Sequence, residues 1–497
     1  MINARKRLMN DTFEIKGIWY LPEQDMHKYG VQGILRYSPQ KIILELIGTL
    51  DEEKDEVFST INPKCSKQMI YGFSNDGERF TLYDCVTAGT RTSMPGFDTT
   101  SYVVNHFYAG VQLICDENAE IIEDITFSLT YLNAWLDIGI TERREYKDSG
   151  RIEWTIDFNK AIPEKWSINI HPENISIVEE IGYRIEYPQT YFSDETTKII
   201  IDRFYRVSSI NKEHFSYNDY SSVLHKIRCL LTMLVGSPLH FLYIDINLGG
   251  KGNDCRVFFT QVGDFNQFQK ITPYNPVSIL IHRKDIKDHY EQIFQNWFSQ
   301  QALLKEIVNP YISDLYLPAY QEIRFLNILR SIETYHRFYI EHKETLPIDM
   351  RDNTLVRERE SILSFIKNHV STENQSFFME RVNYDDERSL QKRLKEVFNL
   401  TPDILINRLF GKLNSRSKNS ILQMIVQTRN YFTHRDSREK YPLAINDCLV
   451  LDQYIKKLNI LLQFHVLKCI GIEPDIIEKR LIEFSKNYSA FHSDIDK

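Results

Sequence analysis

Between about residue 13 and residue 281 the apolar positions come in short runs that alternate with polar ones, rich in β-branched and aromatic side chains. This is the period-two signature of strands with one buried face. Such runs stand at 41–46, 79–84, 101–108, 151–158, 198–205, 240–246 and 256–260, with turn residues between them. Many short strands joined by turns predict a sandwich or barrel-like region. One stretch breaks the pattern. Over 220–235, Val223, Ile227, Leu230, Leu231 and Leu234 recur at helical spacing, and Gly236-Ser237-Pro238 closes the helix. The glycine-bearing segment 247–254 lies between two strands and lacks the Lys-Ser/Thr of a P-loop, so it reads as a hairpin loop and not as a phosphate cradle.

The period changes near Asp285, whose carboxylate can cap a helix running to about residue 298. Residues 309–318, with two prolines and a string of aromatics, read as an irregular connector. Beyond it the pattern is helical. Phe325, Leu329, Ile332, Tyr335 and Tyr339 mark the core stripe of a first long helix, and segments 354–369, 388–399, 403–414 and 419–434 follow. A final long helix is expected from Pro442 to about Ile470, with proline in its first turn and Gly471 at its stop, and a shorter one over 473–488. The expected class is α+β and multidomain: a β-rich region over 1–299, with room for two subdomains and a helix near 220–235; a connector over 300–317; and an all-α bundle over 318–497.

Length agrees, since 497 residues exceed what one core usually organises. The 28 Tyr and 29 Phe fit aromatic packing in β-structure. Seven cysteines, at 65, 85, 115, 229, 255, 448 and 469, are odd in number and form no Cys-x-x-Cys pair, which favours reduced thiols over a disulfide frame or a zinc knuckle. The first ten residues hold no apolar signal-peptide core, and the longest apolar run, 230–235, is too short to cross a bilayer. A soluble, cytoplasmic protein with no membrane partner is expected.

Charge is where the sequence becomes specific. The whole chain is formally −8, yet from 404 to 435 the basic residues Arg408, Lys412, Arg416, Lys418, Arg429 and Arg435 meet no Asp or Glu. A local cation field on an acidic protein suggests a polyanion site. Arg408, Lys412 and Arg416 recur every four residues and line one face if that segment is helical, giving a track for phosphates; a merely solvated face accounts for them equally well. Within the field stands RNYFTHRD, 429–436. An arginine followed by a histidine after four to six residues is weak evidence alone, because Arg283/His289, Arg330/His336 and Arg337/His342 also fit that pattern. Only Arg429/His434 has Asn directly after the Arg and lies in the unmixed positive stretch. Arg429 continues the i, i+4 line of Ile421 and Ile425 toward a partner surface, while Asn430 and His434, four residues apart, stack on a neighbouring face. The bland alternative is that such a pair merely complements the negative end of a helix dipole. Glu333 and His336 on the first long helix are candidates to approach the motif from behind, with surface or packing roles as the ordinary alternative. In the first 300 or so residues Asp84, His106 and Asp137 stand as isolated polar groups.

The run 429–436, on the helix before the last long helix, resembles the Arg-Asn-x3-His form of the catalytic motif of HEPN-domain ribonucleases. The β-rich region joined to such a bundle resembles the ApeA-like branch of anti-phage abortive-infection proteins. By position, Arg429 and His434 match the catalytic pair and Asn430 the accompanying polar residue; Arg435 lies outside the motif. The resemblance implies a metal-independent endoribonuclease with no cofactor, in which a ribose 2′-OH attacks the adjacent phosphodiester and leaves a 2′,3′-cyclic phosphate. It also implies RNA as partner, with structured tRNA a candidate, and by analogy an N-terminal region that senses a trigger, a phage-derived one being a candidate, or restrains the bundle. The residues suit the chemistry. Histidine gives and takes protons near neutral pH, a guanidinium holds the charge building on phosphorane oxygens, and no clustered carboxylates adjoin the motif. One imidazole cannot be base and acid in the same step, so a homodimer or higher even oligomer is expected. The alternative is a non-catalytic RNA- or nucleotide-binding scaffold; the intact Arg429, Asn430 and His434 favour the nuclease.

Overall fold

A computed structural model of the chain describes residues 7–50, 66–91, 96–110, 113–114, 116–117, 119–136, 141–146, 151–156, 167–186, 198–211, 214–249, 254–263, 279–341, 353–383 and 389–485. The chain divides into two compact units, 1–298 and 299–497. The first is β-rich and the second is all helical.

In the first unit the alternating runs become strands. β1 (Phe13–Tyr20), β2 (Val31–Ser38), β3 (Lys41–Ile47), β4 (Ser66–Ser74), β5 (Arg79–Arg91) and β6 (Thr99–Val103) pair antiparallel in the cyclic order β1-β2-β3-β6-β5-β4, a closed six-stranded barrel. Inward positions of successive strands bury Ile15, Trp19, Leu35, Tyr37, Ile42, Leu44, Ile70, Phe80, Leu82 and Tyr102. Gly72 allows the tightest approach: a Cβ there would overlap the Trp19 indole.

Closure depends on a bend in β5. Its first half also pairs with β7 (His106–Gly110) and its second half with β6, and Asp84, at φ 49, stands where the partners change. The predicted run 101–108 is therefore two strands that serve different neighbours. From β7 the sheet continues through β15 (Asp254–Phe259), β14 (Phe241–Asn247), β8 (Asp124–Leu129), β13 (Lys198–Ser209), β12 (Ile175–Glu186) and β11 (Ser167–Ile170); β9 (Thr141–Tyr146) and β10 (Arg151–Ile156) form a separate ladder. The expected helix is α1 (Tyr217–Val235), opened by a Ser216/Asp219 capping box and closed by Gly236 at φ 76. Asp285 caps a 3-10 turn that leads into α2 (Tyr290–Ser299).

The second unit starts earlier in helix than its prolines suggest. Residues 300–317, expected as a connector, hold α3 (Gln301–Tyr316) with Pro310 inside it. Leu304, Ile307, Val308, Tyr311 and Ile312 form a buried stripe that outweighs the lost N–H of one proline. α4 (Gln321–Tyr335) buries Phe325, Leu329, Ile332 and Tyr335 as expected and passes into a π-turn at His336–Glu341. α5 (Asn353–His369), α6 (Thr372–Asn383), α7 (Leu390–Asn399), α8 (Asp403–Phe410), α9 (Ser415–His434), α10 (Cys448–Cys469) and α11 (Pro474–Ser485) follow. α10 is the central post: residues 460–467 are buried without interruption, and Gln463 Nε2 donates to Tyr311 Oη at 2.6 Å.

Two boundaries differ from expectation. α10 opens at Asp447, whose carboxylate accepts from the Leu449 and Val450 N–H groups, and not at Pro442. The expected helix 403–414 ends at Gly411, in a conformation (φ 80, ψ 174) that only glycine adopts without strain. Arg408, Lys412 and Arg416 thus do not share one helical face, and the phosphate track expected from their spacing is absent. Gly411→Ala tests this break by its sign. A Cβ there meets open space, so the variant should lose roughly 1–3 kcal/mol through backbone strain alone; a continuous helix would gain about 1 kcal/mol from the same change. Urea denaturation of the full chain separates the two.

Candidate functional site

The segment carrying the motif is α9. Asn414 and Ser417 close a reciprocal cap at its start, with N–H to side-chain oxygen distances of 2.9 Å in both directions. Leu422, Ile425, Thr428 and Phe432 form its buried face, and Phe432 packs edge-on against Phe325 of α4 with ring centroids 6.1 Å apart. Glu322 of α4 pairs with Arg435 one turn beyond, so α4 and α9 run antiparallel. The helix stops where Arg435 turns left-handed, at φ 54, with its N–H on the Tyr431 carbonyl. For a non-glycine residue that turn costs roughly 1–2 kcal/mol; the Glu322 ion pair and the stacking of Arg435 over Phe432, 5.8 Å from the ring centroid, offset part of it.

The chain then folds back along α9. The Leu443 N–H donates to Gln427 Oε1 at 2.8 Å and the Ile445 N–H to Thr428 Oγ1 at 2.9 Å, while Arg438 lies over the Tyr431 ring at 5.1 Å. The end of the helix is pinned on two sides, and His434 projects from it into solvent.

Arg429 is half-buried, and its Nη1 donates to Asn430 Oδ1 at 3.2 Å. No carboxylate pairs with it among the described residues. His434 makes no side-chain hydrogen bond among the described residues, to Arg429 and Asn430 or to any other group. On an α-helix five residues separate two Cα atoms by about 7.5 Å along the axis and about 140° around it, so the imidazole and the guanidinium leave the helix on different sides. Asn430 stands between them: it is one turn from His434 on the same face and bonded to Arg429. The side chain of Asp436, just past the turn, is held below the usual carboxylate range by its hydrogen bond to Lys440 first, with the charge of His434 contributing.

The remaining candidates disperse. Arg408 is half-buried on α8, and Lys412 lies exposed between α8 and α9. Arg416 is exposed in the first turn of α9, and Lys418 donates to Asn399 Oδ1 at 2.7 Å, its ammonium pushed below the usual lysine range chiefly by burial. Arg435 is engaged by Glu322. Glu333 pairs with Arg337 at 3.1 Å, and His336, fully buried, contacts Glu396 of α7 at 2.6 Å. Both lie toward the end of α4 remote from His434, so neither stands behind the motif as expected. The acid at the motif's end of α4 is Glu322, 113 residues from its partner, and nothing local in sequence marks it.

In the first unit His106 is not isolated. Its Nε2 contacts Glu117 Oε1, which also accepts from the Tyr108 hydroxyl, and its ring stacks on Tyr83. This is a packed polar network. Asp84 accepts from Asn105 at the bend of β5, and Asp137 lies outside the described residues. Among the described residues no three His, Cys, Asp or Glu side chains gather as a metal site, and no helix is long and apolar enough to cross a membrane.

A family model described as ApeA N-terminal domain 1 matches residues 14–297, and one described as Apea-like HEPN matches residues 326–476. No curated protein and no solved structure matches the chain.

Thr428→Val tests the pinning of the helix end. The near-isosteric change leaves the Ile445 N–H without its acceptor, at a cost of roughly 1–3 kcal/mol. Hydrogen exchange across 436–447 should accelerate; unchanged exchange at Ile445 would contradict the tether.

Proposed function

Because the chain belongs to the ApeA-like HEPN family of anti-phage proteins, we propose that it is an endoribonuclease of abortive infection that cuts RNA without a metal ion, through attack of a ribose 2′-OH on the adjacent phosphodiester. The single observation that carries this reading is the state of Arg429: a half-buried guanidinium steadied by Asn430 and given no carboxylate among the described residues, five residues before an exposed imidazole on a helix without Asp or Glu. A cation so placed is completed by an anion from outside.

In the reaction the 2′-oxygen forms a bond to phosphorus and the bond from phosphorus to the 5′-oxygen breaks. The 2′-OH proton passes to a base and the leaving 5′-oxygen receives a proton from an acid, so the products are a 2′,3′-cyclic phosphate and a 5′-OH. His434 is suited to either proton transfer. Arg429 is suited to the charge on the non-bridging oxygens, and Asn430 fixes the plane of its guanidinium. Each chain brings one such imidazole, and two-fold association brings the second, with one His434 as base and the other as acid. HEPN domains commonly dimerise and bind RNA, which agrees with this arrangement. RNA loops such as those of tRNA present the unstacked backbone that in-line attack needs. The β-rich unit senses a phage-derived trigger or restrains the bundle, and the target RNA places the activity in the cytoplasm.

The test uses purified full-length protein, size-fractionated and assayed on RNA in EDTA. Activity should travel with an even oligomer. Arg429→Ala and His434→Ala should each lower kcat/KM by about 10²–10⁴ while RNA binding changes far less. Unchanged turnover in either variant would reject this site, and a fully active monomer would reject the shared mechanism.

A further inference from the structure

We propose that the groove between α7 and the first half of α9 holds the single-stranded backbone of the substrate RNA and leads it along α9 to His434, an inference that rests on the ribonuclease reading above. The groove has a volume of about 930 Å³ and carries Lys392 and Lys395 on one wall and Arg416 on the other, with Asn399, Asn419 and Gln423 between them. None of the three cations has a carboxylate partner among the described residues. Among the described residues Glu396 is the one acid on its lining; it contacts the buried His336, 2.6 Å away, so the described lining carries three cations to one carboxylate. A fourth cation, Lys418, reaches Asn399 at the groove's edge, and the charge of Lys395 is among the influences that lower its affinity for a proton, after burial and against Asp403. Like charges crowded together without acids are stabilised by a polyanion.

The groove is continuous with the motif through the register of α9. Arg416, Ser420, Gln423, Gln427, Asn430 and His434 follow one another at steps of four, three, four, three and four, which keeps them on one side of the helix. All six are exposed or half-buried, and Gln427 Oε1 is engaged by the Leu443 N–H of the returning loop. The stripe is about 27 Å long at 1.5 Å per residue, enough for several nucleotides of extended strand. Its amides, hydroxyls and cations suit phosphates and ribose hydroxyls; among the described residues no aromatic ring lines the groove to stack bases, so this lining suits backbone and not sequence. The groove's volume of about 930 Å³ is small against a duplex and suits one strand.

This placement departs from the face first read in Arg408, Lys412 and Arg416. Only Arg416 belongs to the groove, and its companions come from α7, where Lys392 and Lys395 lie outside the acid-free stretch of sequence.

The test is the triple variant Lys392→Ala/Lys395→Ala/Arg416→Ala, with Lys395→Glu as a second, charge-reversing change; all three side chains are exposed, so folding is spared. In a His434→Ala background, where RNA stays intact, binding of a labelled single-stranded RNA about 15 nucleotides long is followed by fluorescence anisotropy against salt. The triple variant should bind about tenfold more weakly in moderate salt and lower the salt slope by about 2, the value for three contacts at about 0.7 each. With His434 restored, KM for the same RNA should rise about tenfold while kcat stays within about twofold. Unchanged affinity and slope overturn the groove, as does a duplex that competes as well as the single strand. Weakened binding in a protein whose unmutated form cuts no RNA supports the groove and removes the nuclease reading instead.

Discussion

The second unit carries on one helix a positive charge that no carboxylate of that helix neutralises. α9 carries Arg416, Lys418, Arg429 and His434 and no Asp or Glu from Ser415 to His434. A half-buried guanidinium without a carboxylate is unfavourable unless something else satisfies it, and the Asn430 amide satisfies only part of it. The fold bears that cost through packing. Phe325 against Phe432, the Thr428 hydroxyl shared between Met424 and Ile445, and the Gln427 amide on Leu443 hold the helix end in place by contacts that use no charge. The acid that does reach this end, Glu322, is taken by Arg435, and Arg429 has no carboxylate partner among the described residues.

Burial sorts the histidines of the bundle in the same way. His465 lies in the middle of α10 beside Thr401, 2.9 Å away, and burial pushes its pKa down to about 3, which fixes it as a neutral core residue. His336 is equally buried and locked to Glu396. Both share the residue type that makes His434 interesting, and His336 even follows an arginine, Arg330, at a similar distance in sequence. His434 differs in environment: it is solvent-exposed and makes no side-chain hydrogen bond among the described residues. The contact of His336 engages Glu396, the one acid among the described residues that line the α7–α9 groove.

Where periodicity was strong the elements were legible. The strands beginning at Lys41, Arg79, Lys198, Phe241 and Asp254 and the helix ending at Gly236 fall where alternation or helical spacing placed them. The misreadings share a cause, local signals overridden by partners distant in sequence. Pro310 suggested a break, but five apolar residues on one stripe of α3 found a face to bury against. Pro442 suggested a helix start, but the loop holding it is tied back to Gln427 and Thr428, and Asp447 supplies the better cap. Barrel closure was invisible because it hangs on Asp84 adopting a left-handed turn that lets one strand serve two neighbours. The motif itself was legible as residues in order. What could not be read was its setting: the four-residue spacing of Arg408, Lys412 and Arg416 promised a face that Gly411 interrupts, and the lysines that do face Arg416 sit on another helix.

The chemistry assigned to Arg429 and His434 needs the ribose hydroxyl as its nucleophile and nothing else from the substrate that a deoxyribose lacks. A cleavable RNA carrying a single 2′-deoxy nucleotide on the 5′ side of the scissile phosphate, presented to the protein in EDTA, isolates that requirement. The expected result is normal binding with no cut at the substituted position, alongside a 2′,3′-cyclic phosphate at the same position of the all-ribose strand. Cutting at the deoxy position, or products ending in a free 3′-OH, would contradict it.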